Sequence, residues 1–83
     1  MKTIYNESIG SEEIIYSAFT EQDPETHSNV YGILVRDNST KRETVLHSFS
    51  STREQAIDFI ETLIRNIVDP DFVMDIAEDY LMA

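Results

Sequence analysis

Five carboxylates crowd the C-terminal end of this chain: Asp69, Asp71, Asp75, Glu78 and Asp79, with no basic residue between Asn66 and Ala83. Carboxylates at such spacing have three chemistries open to them. They can hold a hard cation, exchange protons with a substrate, or attract a cationic surface. The first fits poorly. A calcium loop needs a glycine at its sharp turn and a distal bidentate glutamate, and neither stands in the right place after Asp69-Pro70-Asp71. The second needs partners in a cleft. The two histidines, His27 and His47, show no spacing to a serine or carboxylate that would suggest a dyad. With no cysteine there is no thiolate nucleophile, thiolate metal site or disulfide. With only Gly10 and Gly32 there is no glycine-rich phosphate loop. The expectation is a protein without catalytic residues, metal or cofactor, which leaves the third chemistry.

The charge balance points the same way. Sixteen acidic residues face six basic ones in 83 residues, a formal net charge of -10. Contacts to phosphate need lysine and arginine, so direct binding to nucleic acid or to an anionic membrane is not expected. Arg36, Lys41 and Arg42 flank one turn and form at most a small basic spot. An acidic protein instead attracts basic surfaces. The plain alternative is that the charge serves solubility alone. No run of 18 apolar residues exists, and the first residues lack the apolar core of a signal peptide. A cytoplasmic location is the expectation.

The elements that must position these carboxylates follow from periodicity. Ile, Leu, Val and Phe make up about 28% of the chain, enough for a single folded domain over 1–83. Up to about residue 50, β-branched and aromatic residues come in short runs. Residues 13–20, 30–36 and 43–49 read as strands. A polar stretch with Asp23-Pro24 separates the first two, and Asp37-Asn38-Ser39-Thr40 turns between the last two. Residues 2–8 can add a fourth strand, with Gly10-Ser11 as the turn, though their alternation is poor.

After residue 50 the period becomes helical. Ser51 as N-cap with Glu54 three residues on reads as a capping box. Ala56, Ile57, Ile60, Leu63, Ile64, Ile67 and Val68 then share one side of the helix, and Glu61 and Arg65 stand in the favourable order for a pair. Asp69-Pro70 ends this helix and opens another, with Pro70 at its first position. In the second helix Phe72, Val73, Ile76, Ala77, Tyr80 and Leu81 share a face. Strands first and helices second predict an α+β fold: an antiparallel sheet of three or four strands over 1–50, followed by two C-terminal helices over 51–83 packed on one face.

On that second helix the outer arc holds Asp71, Asp75, Glu78, Asp79 and Met82. Acids near a helix start are favoured, but Glu78 and Asp79 sit at the end that disfavours negative charge. Asp71/Asp75 and Asp75/Asp79 repel at one-turn spacing, by a few tenths of a kcal/mol each. Such a departure from local preference, with nothing to offset it, marks Asp71, Asp75, Glu78 and Asp79 as a candidate face for a basic partner. The alternative is a solvated face whose repulsions are small and screened by salt.

The strands raise a second candidate. Each carries apolar residues on both faces: Ile14/Tyr16 against Ile15/Phe19, Tyr31/Ile33/Val35 against Val30/Leu34, and Val45/Phe49 against Leu46. Two helices cover one face, so the other must be covered by the N-terminal segment through Ile4, Tyr5 and Ile9, or serve self-association or a partner. Gly32 marks a bulge or the close packing of an aromatic.

Val30-Tyr31-Gly32-Ile33, followed by Asp69-Pro70-Asp71-Phe72-Val73-Met74-Asp75-Ile76-Ala77-Glu78-Asp79-Tyr80, resembles a family of small uncharacterised proteins of Clostridia-type Firmicutes. The likeness spans roughly residues 30–80 and rests on short motifs. It implies the same α+β order and no activity, so no functional residue carries over. In size and charge alone the chain is also similar to acidic inhibitors encoded by phages, including nucleic-acid mimics and anti-CRISPR proteins.

The functional expectation is a small non-enzymatic interaction protein. It would dock the acidic helix face onto a basic protein surface, as an inhibitor of a nucleic-acid-binding protein would. The competing expectation is a structural or regulatory domain that forms a homodimer through an apolar sheet face. A small carboxylate enzyme is the third and remotest reading.

Overall fold

The alternating residues of the first half build a four-stranded antiparallel meander: β1 (Lys2–Ile9), β2 (Ile14–Gln22), β3 (Asn29–Asp37) and β4 (Arg42–Ser50), in the spatial order β1-β2-β3-β4. Two helices follow, α1 (Arg53–Arg65) and α2 (Pro70–Met82). This computed structural model describes residues 1–10 and 13–82, with the side chain of Met82 left out. The Gly10-Ser11 turn therefore falls partly outside the described residues. The architecture is the α+β order expected, with both helices on one face of the sheet.

Strand register decides which side chains meet the helices. Tyr16 pairs with Val35, Ala18 with Ile33, and Ile33 with Leu46. These residues are buried beneath Ala56, Phe59, Ile60 and Leu63 of α1 and Val73 and Ala77 of α2. Phe59, which the wheel reading omits, is fully buried and stacks on Phe49 with ring centroids 4.5 Å apart. Tyr80 joins them from α2, its ring 5.1 Å from that of Phe59. One aromatic cluster thus ties β4, α1 and α2 together.

Two features of the sheet depart from simple alternation. Between the pairs Ile33–Leu46 and Tyr31–Ser50, β4 carries three residues against the single Gly32. Ser48 there has φ 53, a left-handed conformation. The two extra residues keep Leu46 and Ser50 on one face and turn Phe49, inside the bulge, to the same side. Leu46 and Phe49 therefore both face the helices, and the expected grouping of Val45 with Phe49 against Leu46 does not hold. A Cβ on Gly32 would lie 2.3 Å from Cζ of Phe19 and 2.7 Å from the carbonyl of Leu46. The glycine is where an aromatic ring crosses the backbone, as its mid-strand position suggests.

β1 is a true strand paired with β2, so the sheet has four strands. It lies beside the sheet and not across it. Its register slips between Thr3 and Tyr5, and Ile4, Tyr5 and Ile9 pack against the helix-side core. No described element covers the other face, where Ile15, Leu34 and Val45 stay half-buried.

The helix starts are set by side chains. Thr52, not Ser51, caps α1: its hydroxyl accepts from the Gln55 amide at 3.4 Å. Ser50 accepts from the Thr52 amide and donates to the Gln55 side chain at 2.6 Å. The Thr52 amide is taken by Ser50 and not by the Gln55 side chain, so the cap is the Thr52–Gln55 amide bond without the return bond of a capping box, and it lies one residue beyond the Ser51–Glu54 pair expected. Ser51 and Glu54 are both exposed. α1 ends through two crossed bonds, Val68 N to Leu63 O at 3.1 Å and Ile67 N to Ile64 O at 3.1 Å. This is a Schellman closure with Ile67 in the left-handed position, φ 49. The turn swings Ile67 outward, 63% exposed, where the helical period places it inside. Val68 remains buried, and its carbonyl accepts from the Tyr16 hydroxyl at 2.9 Å.

Candidate functional site

α2 is held by one narrow stripe. Val73 and Ala77 are buried and Ile76 and Tyr80 half-buried against the core. Its first turn is fixed from the sheet, where the Thr44 hydroxyl donates to the Pro70 carbonyl at 2.7 Å. Its last turns are fixed from α1, where the Tyr80 hydroxyl donates to Asp58 at 2.8 Å. That bond to a carboxylate pushes the Tyr80 pKa up, with partial burial adding to it.

The outer arc then carries Asp71, Asp75, Glu78 and Asp79, all exposed as their spacing predicts. The last turn has no basic residue to offset them. The row is not wholly free, however. Asp71 forms an ion pair with Arg42 from the start of β4, twenty-nine residues away in sequence. The sequence reading sees no base on this face because it looks along the helix alone. Among the described residues, Asp75, Glu78 and Asp79 take part in no ion pair. The unneutralised ridge is thus Asp75, Glu78 and Asp79, with Asp71 partly spoken for.

Phe72 and Leu81, expected on the buried face, are 57% and 54% exposed, and Met74 is 51% exposed. The cause is placement. α2 lies chiefly over β4, the last strand of the sheet, so the flanks of its apolar stripe have no sheet beneath them. A groove of about 320 Å³ opens there between α2 and β4. Residues 45–49 of β4 line one side, and Met74, Ala77, Glu78 and Leu81 the other. Met74 and Leu81 stand seven residues apart, on one line along the helix. That spacing is the sequence signal for this groove, and it is hidden by the larger apolar stripe beside it.

The other candidates resolve differently. His47 is exposed on the uncovered sheet face, its Nδ1 2.9 Å from a Glu21 carboxylate oxygen and its ring edge-on to Phe19. His27 sits exposed in the β2–β3 loop at φ 61. Two of the three bases of the small basic spot are engaged, Arg36 by Glu43 and Arg42 by Asp71, while Lys41 is exposed and takes part in no ion pair among the described residues. Glu61 and Arg65 form no ion pair with each other. Asp37 closes the β3–β4 turn by accepting from the Ser39 hydroxyl at 2.7 Å and from the Ser39 amide at 2.9 Å. The Ser39 hydroxyl, with further turn donors, holds its carboxyl below the usual range. Among the described residues no three His, Cys, Asp or Glu side chains gather closely enough to hold a metal ion, and no helix is long and apolar enough to cross a membrane.

The profile of a family of unknown function, DUF6514, matches residues 4–83. No curated protein and no solved structure matches the chain.

Proposed function

We propose a role for this chain, which belongs to the family of unknown function DUF6514, as a non-enzymatic interaction protein that docks the outer surface of α2 onto a basic surface of another protein. One observation carries the reading. Asp75, Glu78 and Asp79 are exposed and outside any ion pair among the described residues, while Phe72, Met74 and Leu81 are exposed beside them. A face kept only for solubility has no use for exposed phenylalanine, methionine and leucine. A docking face combines the two, with charge for attraction and apolar surface for burial.

The basic surfaces of nucleic-acid-binding proteins fit this description, because they are built to hold phosphate. The specific form of the reading is an inhibitor that occupies such a surface in place of nucleic acid, in a cytoplasmic setting. The test is a pull-down from source-cell lysate at low and high salt, with mass-spectrometric identification of what is retained. Retention of a basic protein at low salt, lost at high salt and lost with Asp75→Lys plus Asp79→Lys, supports the reading. Retention unchanged by those substitutions removes it.

The uncovered sheet face favours a second reading, self-association. Leu34 lies between Ser17 and Val45 in register, with Ile15 nearby, and all are half-buried with no described element over them. A dimer through this face would be indifferent to charge reversal on α2. A monomer in sedimentation at high concentration counts against it.

A further inference from the structure

We propose that the groove between α2 and β4 receives a basic amphipathic helix of the partner. This rests on the docking reading above and narrows it to one place and one kind of ligand.

The shape of the groove argues for a helix. Met74 and Leu81 stand two turns apart, about 10 Å along α2 at 1.5 Å per residue. Ala77 between them is small and leaves a notch over Leu46 and Phe49. Two knobs and a notch at this spacing match the i, i+3/i+4, i+7 ridge of a second helix. An added strand fits less well. Three residues of β4 stand against one of β3, and Ser48 is left-handed, so the edge is irregular where the groove lies.

The charge of the groove argues for basic flanks on that helix. Glu78 stands in the wall, and Asp75 lies one turn before Asp79 on the adjoining ridge. Arg42, outside the groove at the start of β4, is engaged by Asp71, and His47, the group in the lining that can carry positive charge, is engaged by Glu21. The complement is an apolar stripe bordered by lysine or arginine. A second copy of this chain does not supply it, because sixteen acids against six bases would bring like charge to the rim. Phosphate-bearing ligands are repelled for the same reason.

The probe is a fluorescein-labelled helical peptide of about 16 residues, with leucines at i, i+4 and i+7 and lysines on the flanks. A peptide of the same composition in scrambled order is the control. Anisotropy titration at low salt should give at least tenfold tighter binding of the patterned peptide. Met74→Ser plus Leu81→Ser should remove that advantage while leaving the weak binding of the scrambled peptide as it was. Amide shifts in residues 45–49 and 74–81 should move on binding. Equal binding of the two peptides, no binding of either, or shifts confined to the uncovered sheet face would each overturn the groove. So would dimerisation through the groove residues. These results leave the acidic docking reading standing if Asp75→Lys plus Asp79→Lys still abolishes capture of the partner. If that capture is also indifferent to charge, both readings fall.

Discussion

The Tyr16 hydroxyl donates to the carbonyl of Val68 at 2.9 Å, joining the middle of the sheet to the connection between the helices. Tyr16 is fully buried and Val68 nearly so. The same Val68 closes α1 through its own amide, bonded to the Leu63 carbonyl. The phenol therefore ties the sheet to the short connection that joins α1 to α2.

This bond gives the fold an alkaline limit. Burial pushes the Tyr16 pKa from 10.0 up to about 12, with Asp69 and Asp37 adding to the shift. A phenol raised in the folded state contributes stability that is fully present below the unfolded value of 10.0 and is lost as pH rises towards about 12. Unfolding midpoints should therefore fall across that window. Tyr16→Phe should cost about 1–3 kcal/mol near neutral pH by orphaning the Val68 carbonyl. It should also flatten the alkaline slope, leaving only what Tyr5 and Tyr80 contribute through their own raised values. Denaturant melts at several pH values check this. An unchanged slope in the variant contradicts it.

Ile67 occupies the position in the α1 closure where glycine is favoured, at φ 49, and its side chain is mostly in water. Ile67→Gly should stabilise the fold by about 1 kcal/mol, since left-handed strain is relieved and little burial is lost. Urea melts with an unchanged m-value would register the gain as a shift in midpoint.

Gly32→Ala should act in the opposite direction. The new methyl meets the Phe19 ring and the Leu46 backbone at distances that neither can leave unchanged. A loss of about 1–3 kcal/mol is expected. Phe19→Leu in the same chain should recover part of it, because the ring is the nearer obstacle.

Arg42 separates stability from binding. Its pair with Asp71 is exposed, so Arg42→Ala should change stability by less than about 1 kcal/mol. It frees a fourth carboxylate on the ridge. Binding of the lysine-flanked peptide should tighten and fall more steeply with salt. A variant that binds more weakly would mean Arg42 itself touches the ligand.

Local chemistry made much of this legible in advance. Pro70 marks the start of α2, Asp37-Asn38-Ser39-Thr40 the last hairpin, and the change of period near residue 50 the passage from sheet to helices. What escaped the sequence is set by contacts distant along the chain. The inward turn of Phe49 comes with a bulge and a left-handed serine that strand propensity does not announce. Phe72 and Leu81 read as core on a wheel, which assumes that the surface beneath a helix is wider than it is. Here α2 lies over the last strand, and both side chains overhang. The exposure of Asp71, Asp75, Glu78 and Asp79 follows from helical spacing alone. The Arg42–Asp71 pair needs α2 to lie over β4, which no local pattern supplies. The cap of α1 is Thr52 where the pattern points to Ser51, because Ser50, Ser51 and Thr52 are near equivalents along the chain, and Ser50 bonds both the Thr52 amide and the Gln55 side chain.

The account rests most directly on the salt dependence of partner binding by the native chain and by the Asp75→Lys, Asp79→Lys variant. The native affinity should fall steeply as ionic strength rises, and the variant should bind weakly at every salt concentration with a shallow slope. Equal affinities and equal slopes for the two chains would show that the ridge on α2 takes no part in recognition.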